Sequence, residues 1–261
     1  GALLASCGGG PSGDGIGSAI FSEVRVIGGL GNGPGQFVKP RSIAVDLDDN
    51  VYVCDMTGRV QKFDRDGNYL LQWQMPETER GRPKGMALDH VGNIVVVEPH
   101  YSRINHFTTG GNLVSQWGTH GRERGELSFP RAVAFTPDGS AFVSEFQIVE
   151  RLQKFDPVHE SVQVEIRGAG HGPREFNRAE GLSLDATGKL YVADSCNHRV
   201  QVFDGDGAFL REHGGPGAAS GEFSYPYDVR VDEQGRQYVC EFGNSRVTVL
   251  DADDQEIGRA S

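Results

Sequence analysis

Apolar residues alternate with polar ones in short runs along this chain, and the runs recur. PRSIAVD (40–46) returns as PKGMALD (83–89), PRAVAFT (130–136), AEGLSLD (179–185) and PYDVRVD (226–232). After each comes a Gly- or Asp-rich turn and a β-rich run: NVYVCD, NIVVVE, SAFVSE, KLYVAD or RQYVCE. An arginine then opens a third run (RVQKFD, RINHFT, RLQKFD, RVQVFD, RVTVLD), and a second turn leads to a fourth, such as NYLLQWQ or AFLREHG. Alternation over four to eight residues between turn signals predicts half-buried strands joined as hairpins. Four antiparallel strands repeating every 43 to 49 residues predict the blades of an all-β propeller, with five repeats in this chain.

The stretch FSEVRVIGG (21–29) precedes GNGPGQF as AFLREHGG precedes PGAASGEF, so 20–29 is expected to be the outer strand of a closing blade. That leaves two outcomes: a six-bladed parent, which the pattern favours, or a ring closed with five. The expected organisation is a Gly-rich tether over 1–19 and a propeller over 20–261.

The linkers GNGPGQFVKP, HGRERGELSFP, HGPREFNRAE and GAASGEFSYP set Gly and Phe at fixed offsets before the next inner strand. With VADSCNHRVQVFD, they resemble the NHL-repeat family over about residues 20 to 258. Repeat two departs from it, since PETERGRP lacks the Phe, and repeat four has Ala179 in place of Pro. The resemblance implies an interaction scaffold. Some similar propellers are instead lyases, lactonases or hydrolases holding a channel metal.

Charge narrows the partners. With Lys+Arg 25 against Asp+Glu 36 the net charge is −11, which opposes the RNA-binding branch of the family and gives no general attraction for nucleic acid. The four cysteines (Cys7, Cys54, Cys196, Cys240) form no CxxC pair, so no structural metal and no cofactor are expected. LLASC (3–7) resembles a bacterial lipobox, which implies lipidation of Cys7 and a membrane-anchored protein in the periplasm or on the outer cell surface. The alternative is a free thiol in a tail.

Stacking the repeats separates recurring residues from singular ones. Asp55, Glu98, Glu145, Asp194 and Glu241 end the second strands, and Arg59, Arg103, Arg151, Arg199 and Arg246 begin the third, so each acid is expected to brace an arginine across a hairpin. Cys54 and Cys240 share a column with Val97, Ser144 and Ala193, and are expected to fill space between blades. The side of the meander where second strands end collects His100, Tyr101, Phe146, Cys196, His198 and Phe242 as loop candidates for ligand binding. Nearest the axis there, the second residue of each inner motif reads Arg41, Lys84, Arg131, Glu180, Tyr227. Three consecutive cations at a channel mouth suit a carboxylate or phosphate, or else form a solvated rim.

Two functions follow. The first is a non-catalytic scaffold recognising a protein, a peptide or a small anionic ligand on this top face, with a membrane-associated assembly as its setting. The second is a metal-dependent propeller enzyme with Tyr227 and Glu180 as acid or base candidates. No catalytic residue is assigned, because the inner column offers cations where a metal would need ligands.

Overall fold

The computed structural model describes residues 2–4 and 24–260. Its architecture is a five-bladed β-propeller in which every blade is a four-stranded antiparallel meander. Blade one comprises Pro40–Val45, Val51–Asp55, Arg59–Phe63 and Tyr69–Gln74; blade two comprises Gly85–Leu88, Ile94–Glu98, Arg103–Phe107 and Leu113–Trp117. Blade three follows with Pro130–Phe135, Ala141–Glu145, Arg151–Phe155 and Val162–Arg167, and blade four with Ala179–Leu184, Leu190–Asp194, Arg199–Phe203 and Phe209–Gly214. Blade five has Pro226–Val231, Gln237–Glu241, Arg246–Leu250 and Glu256–Ala260.

The strands end where turn chemistry stops them. Asp185 is representative: its carboxylate accepts the amides of Thr187 at 2.8 Å and Lys189 at 3.0 Å, and Gly188 takes the left-handed φ of +84° that closes the turn. The second strands of blades one to four are buried along their whole length, because neighbouring blades pack their apolar faces together. Tyr52, Cys54 and Val60 meet Met86, Ile94 and Val96 between blades one and two, and Tyr191, Ala193 and Val200 meet Phe223, Val229 and Val239 between blades four and five. The inner strands converge closely enough to require small residues. A Cβ on Gly85 would come within 2.3 Å of the Arg131 carbonyl oxygen, and one on Gly181 within 2.6 Å of Asp228 Cα.

The five repeats form five blades, as the repeat columns require. Among the described residues, 24–29 join none of these five blades. Blade five has its own outer strand, Glu256–Ala260, while Val24–Val26 pairs in parallel with Ala2–Leu4. Cys7 and most of the tether lie outside the described residues.

Each acid faces its arginine as the repeat columns require: Asp55–Arg59 at 2.9 Å, Glu98–Arg103 at 2.6 Å, Glu145–Arg151 at 2.8 Å, Asp194–Arg199 at 2.9 Å and Glu241–Arg246 at 2.6 Å. The brace is larger than a pair. Arg199 also donates to the linker carbonyls of His171, Gly172 and Glu175 at 2.7 to 2.9 Å, and Asp194 accepts the linker amide of Asn177 at 2.8 Å. Gln61, Gln153 and Gln201 complete the clamp by donating to the carbonyls of Gln36, Glu126 and Glu175. Blade two lacks these linker contacts: Arg103 turns to Glu77 at 3.1 Å and stacks on Tyr101. This is the repeat whose linker lost its Phe.

Candidate functional site

The inner strands bring Arg41, Lys84, Arg131, Glu180 and Tyr227 to the wall of one cavity of about 390 Å³ on the axis, together with Asp228 and Arg230. Phe146, 7% exposed, is not a free loop residue. It lies beneath Arg131 at 3.8 Å and Arg178 at 5.2 Å, a cation–π floor that fixes both guanidinium planes. Arg178 is a member that the repeat columns missed, because it sits just before the inner strand at φ +68°. Its Nε donates to Glu180 at 2.7 Å.

Charge in the cavity is unbalanced. Glu180, 3% exposed, is held by Arg178 and lies 3.9 Å from Arg131 Nε, which has no hydrogen-bond partner among the described residues. Arg41 rests its Nη2 against the Met56 thioether at 2.7 Å. Lys84 points its ammonium at the Tyr227 ring, 4.8 Å from the centroid, and no described carboxylate lies within ion-pair distance of it. Burial pushes Lys84 down to about 8; Glu180 opposes the shift, and Arg131, Arg41 and Arg178 add to it. Asp228 and Arg230 pair with each other at 3.0 Å. Arg178, Arg131 and Lys84 thus share Glu180, and the arrangement can receive an anion.

The remaining top-face candidates stay outside this wall. His198 is the left-handed cap (φ 57°) of a short 3-10 turn, its ring 4.5 Å from that of Tyr225, and its Nδ1 accepts the Tyr225 amide at 3.3 Å. His100 packs edge-on against Phe129, Tyr101 accepts the Arg80 amide at 2.9 Å, Cys196 is half-buried and Phe242 is 76% exposed. They form separate rim features. No group of three or more His, Cys, Asp or Glu among the described residues could hold a metal ion. Tyr227 is pushed up to about 12 by burial and by Glu180, so at neutral pH it can donate a hydrogen bond but not act as a base.

One expectation fails inside the cavity. Cys54 is buried, but Cys240 is exposed and lines the wall with Val53 and Val247, where no strand among the described residues covers that face of blade five. The repeat column gives the register of a side chain and not the neighbour it meets.

A family profile described as NHL repeat matches residues 176–203. NHL repeat-containing protein 3 from mouse is 29% identical over 63% of this chain and 51% of its own length; Protein brain tumor from Drosophila melanogaster is 26% identical over 51% of this chain and 12% of its own. The chain therefore spans about half or less of these relatives. Among solved structures, a protein of unknown function from Bacteroides caccae superposes with a TM-score of 0.67 at 13% identity, covering 88% of this chain and 83% of that one. A gluconolactonase from Xanthomonas campestris gives 0.65 at 17% identity, covering 87% and 77%. Virginiamycin B lyase from Staphylococcus aureus gives 0.59 at 13% identity, covering 83% and 68%. The repeat match and the NHL-containing relatives support an NHL-repeat propeller, and the solved structures share its fold.

Proposed function

We propose that this propeller is a non-catalytic recognition module that binds an anionic group, a carboxylate or phosphate of a peptide or small molecule, at the top mouth of its channel. The observation that carries the reading is the half-buried Lys84 ammonium without a carboxylate, set beside the open Nε of Arg131. Holding unpaired charge in a poorly solvated wall costs stability, and an arriving anion would relieve that cost through charge-assisted hydrogen bonds. NHL-containing relatives such as Protein brain tumor lend general support to an interaction role. An enzyme reading keeps the support of the lyase and lactonase folds, but its acid or base candidates are a Tyr227 that stays protonated and a Glu180 engaged by arginines.

Titration calorimetry of the intact chain with succinate, inorganic phosphate and an acidic peptide, against neutral amide counterparts, tests the reading. At least one anion should bind and its amide should not. Below pH 8 Lys84 is charged, and above it the proton is lost, so affinity should fall roughly tenfold between pH 7 and pH 10. Equal binding of anion and amide, or none by any probe at millimolar concentration, would sink it.

The LLASC motif supports an anchored form of the same module, with Cys7 lipidated outside the cytoplasm. Mass analysis of the Cys7 peptide from the protein isolated from its own cells should show a diacylglyceryl increment; an unmodified thiol there would remove the anchor.

A further inference from the structure

The inner strands stand side by side in chain order, each packed on the next, so the cationic mouth is an arc that needs no contact between the first blade and the last. Arg41, Lys84 and Arg131 hold the second position of three consecutive inner motifs. Each is left short of an oxygen acceptor among the described residues. Arg41 donates from Nε and Nη2 to the Met56 thioether, a weak acceptor; the Lys84 ammonium faces the Tyr227 ring; Arg131 lies on Phe146 with its Nε open. Arg178 adds a fourth cation over the same Phe146 ring. All four are near enough to bear on one another, since Arg131, Arg41 and Arg178 each oppose the charge on Lys84. Asp228 and Arg230 cancel each other. Glu180 answers one of the four, and Glu150, whose carboxylate accepts the Arg178 amide at 2.9 Å, answers a second at most. Two positive charges are left over.

We infer that the group received at this mouth is a dianionic phosphoryl head, the terminal phosphate of a small monoester, in preference to a carboxylate or a phosphodiester. A monoester phosphate concentrates close to two negative charges and three acceptor oxygens on one atom. That matches the excess charge and gives one oxygen each to Arg41, Lys84 and Arg131. A carboxylate or a phosphodiester brings one charge and two unsubstituted oxygens, and leaves one cation of the three unanswered. Tyr227 lines the same cavity and keeps its hydroxyl proton, so it adds a neutral donor.

The inference rests on the anion reading above, and the experiment separates the two. Methyl phosphate, dimethyl phosphate, succinate and acetate are titrated calorimetrically into the intact chain at pH 7. Methyl phosphate should bind at least ~tenfold tighter than each of the other three. Its second proton leaves near pH 6, so its affinity should rise about tenfold between pH 5 and pH 7 as the dianion forms, then decline above pH 8 as Lys84 loses its charge. Dimethyl phosphate should show the alkaline decline alone. Arg41→Gln should weaken methyl phosphate at least ~fivefold and acetate less than ~twofold. If dimethyl phosphate or acetate binds as tightly as methyl phosphate, the phosphoryl assignment falls and the anion site stands. Succinate binding as tightly would show that two separated carboxylates satisfy the cations, with the same consequence. Equal losses for both ligands in the Arg41 variant would remove the three-oxygen arrangement. If none of the four binds at millimolar concentration, both readings fall.

Discussion

Replacing Arg151 by methionine is expected to lower the stability of the protein by about 3–5 kcal/mol, which at about 2–4 °C per kcal/mol for a chain of this size is a fall of roughly 10 °C or more in Tm. Arg151 and Glu145 are both fully buried, joined by Nε–Oε1 at 2.8 Å and Nη2–Oε2 at 3.1 Å. The guanidinium also satisfies the carbonyls of Arg122 at 2.9 Å and Glu126 at 2.7 Å. Methionine fills the volume but donates nothing. It leaves the Glu145 carboxylate with only Gln153 Nε2 and the Ser128 amide as donors, the Arg122 carbonyl without its guanidinium donor and the Glu126 carbonyl with Gln153 alone. Arg103→Met is the internal control. Its guanidinium has no linker carbonyl and leaves Nη2 without a partner among the described residues, so its loss should cost less than half as much. Urea denaturation of both variants reads the difference. Equal losses, or less than about 1 kcal/mol for Arg151, would mean that the linker clamp does not hold the blades.

These braces could be read from the sequence because a propeller writes the same hairpin five times, so Asp194 and Arg199 declare their pairing through four other copies. The Gln61, Gln153 and Gln201 clamp recurs in three of the five repeats, with Asn105 and Thr248 in the other two, and was harder to see because its partners are backbone carbonyls, which leave no mark in a sequence. The channel column Arg41, Lys84, Arg131, Glu180 and Tyr227 was legible because inner strands share one register. Arg178 was not, because it joins the site from a left-handed linker position outside that register. Nor could the columns show that Cys54 and Cys240 have different surroundings, since alternation assigns a face but not what covers it. The same alternation marked 21–29 as strand, and Val24–Val26 is one, paired outside the five blades.

Lys84→Met should weaken anion binding at pH 7 by about tenfold or more, and the same change should raise Tm. The two effects have one cause. Lys84 is pushed down to about 8 by burial from an ordinary 10.5, so at neutral pH the folded protein holds a charge that the environment disfavours. A folded-state value below the unfolded one means that the unfolded chain binds the proton more tightly; stability is therefore lowest below pH 8 and recovers between about 8 and 10.5. Methionine keeps the aliphatic stem against Tyr227 and removes the charge, which should stabilise the fold by about 1–2 kcal/mol once its partial exposure is allowed for. It should also abolish both the pH 7 to 10 decline in affinity and the pH-dependent gain in stability. Arg131→Gln offers the contrast: it also loses anion affinity, but it takes a cation from Glu180, so its Tm should fall or hold. A merely structural lysine would lose stability and leave binding unchanged on substitution. A Lys84→Met protein that melts lower and binds as before would show that the ammonium braces the wall and receives no anion.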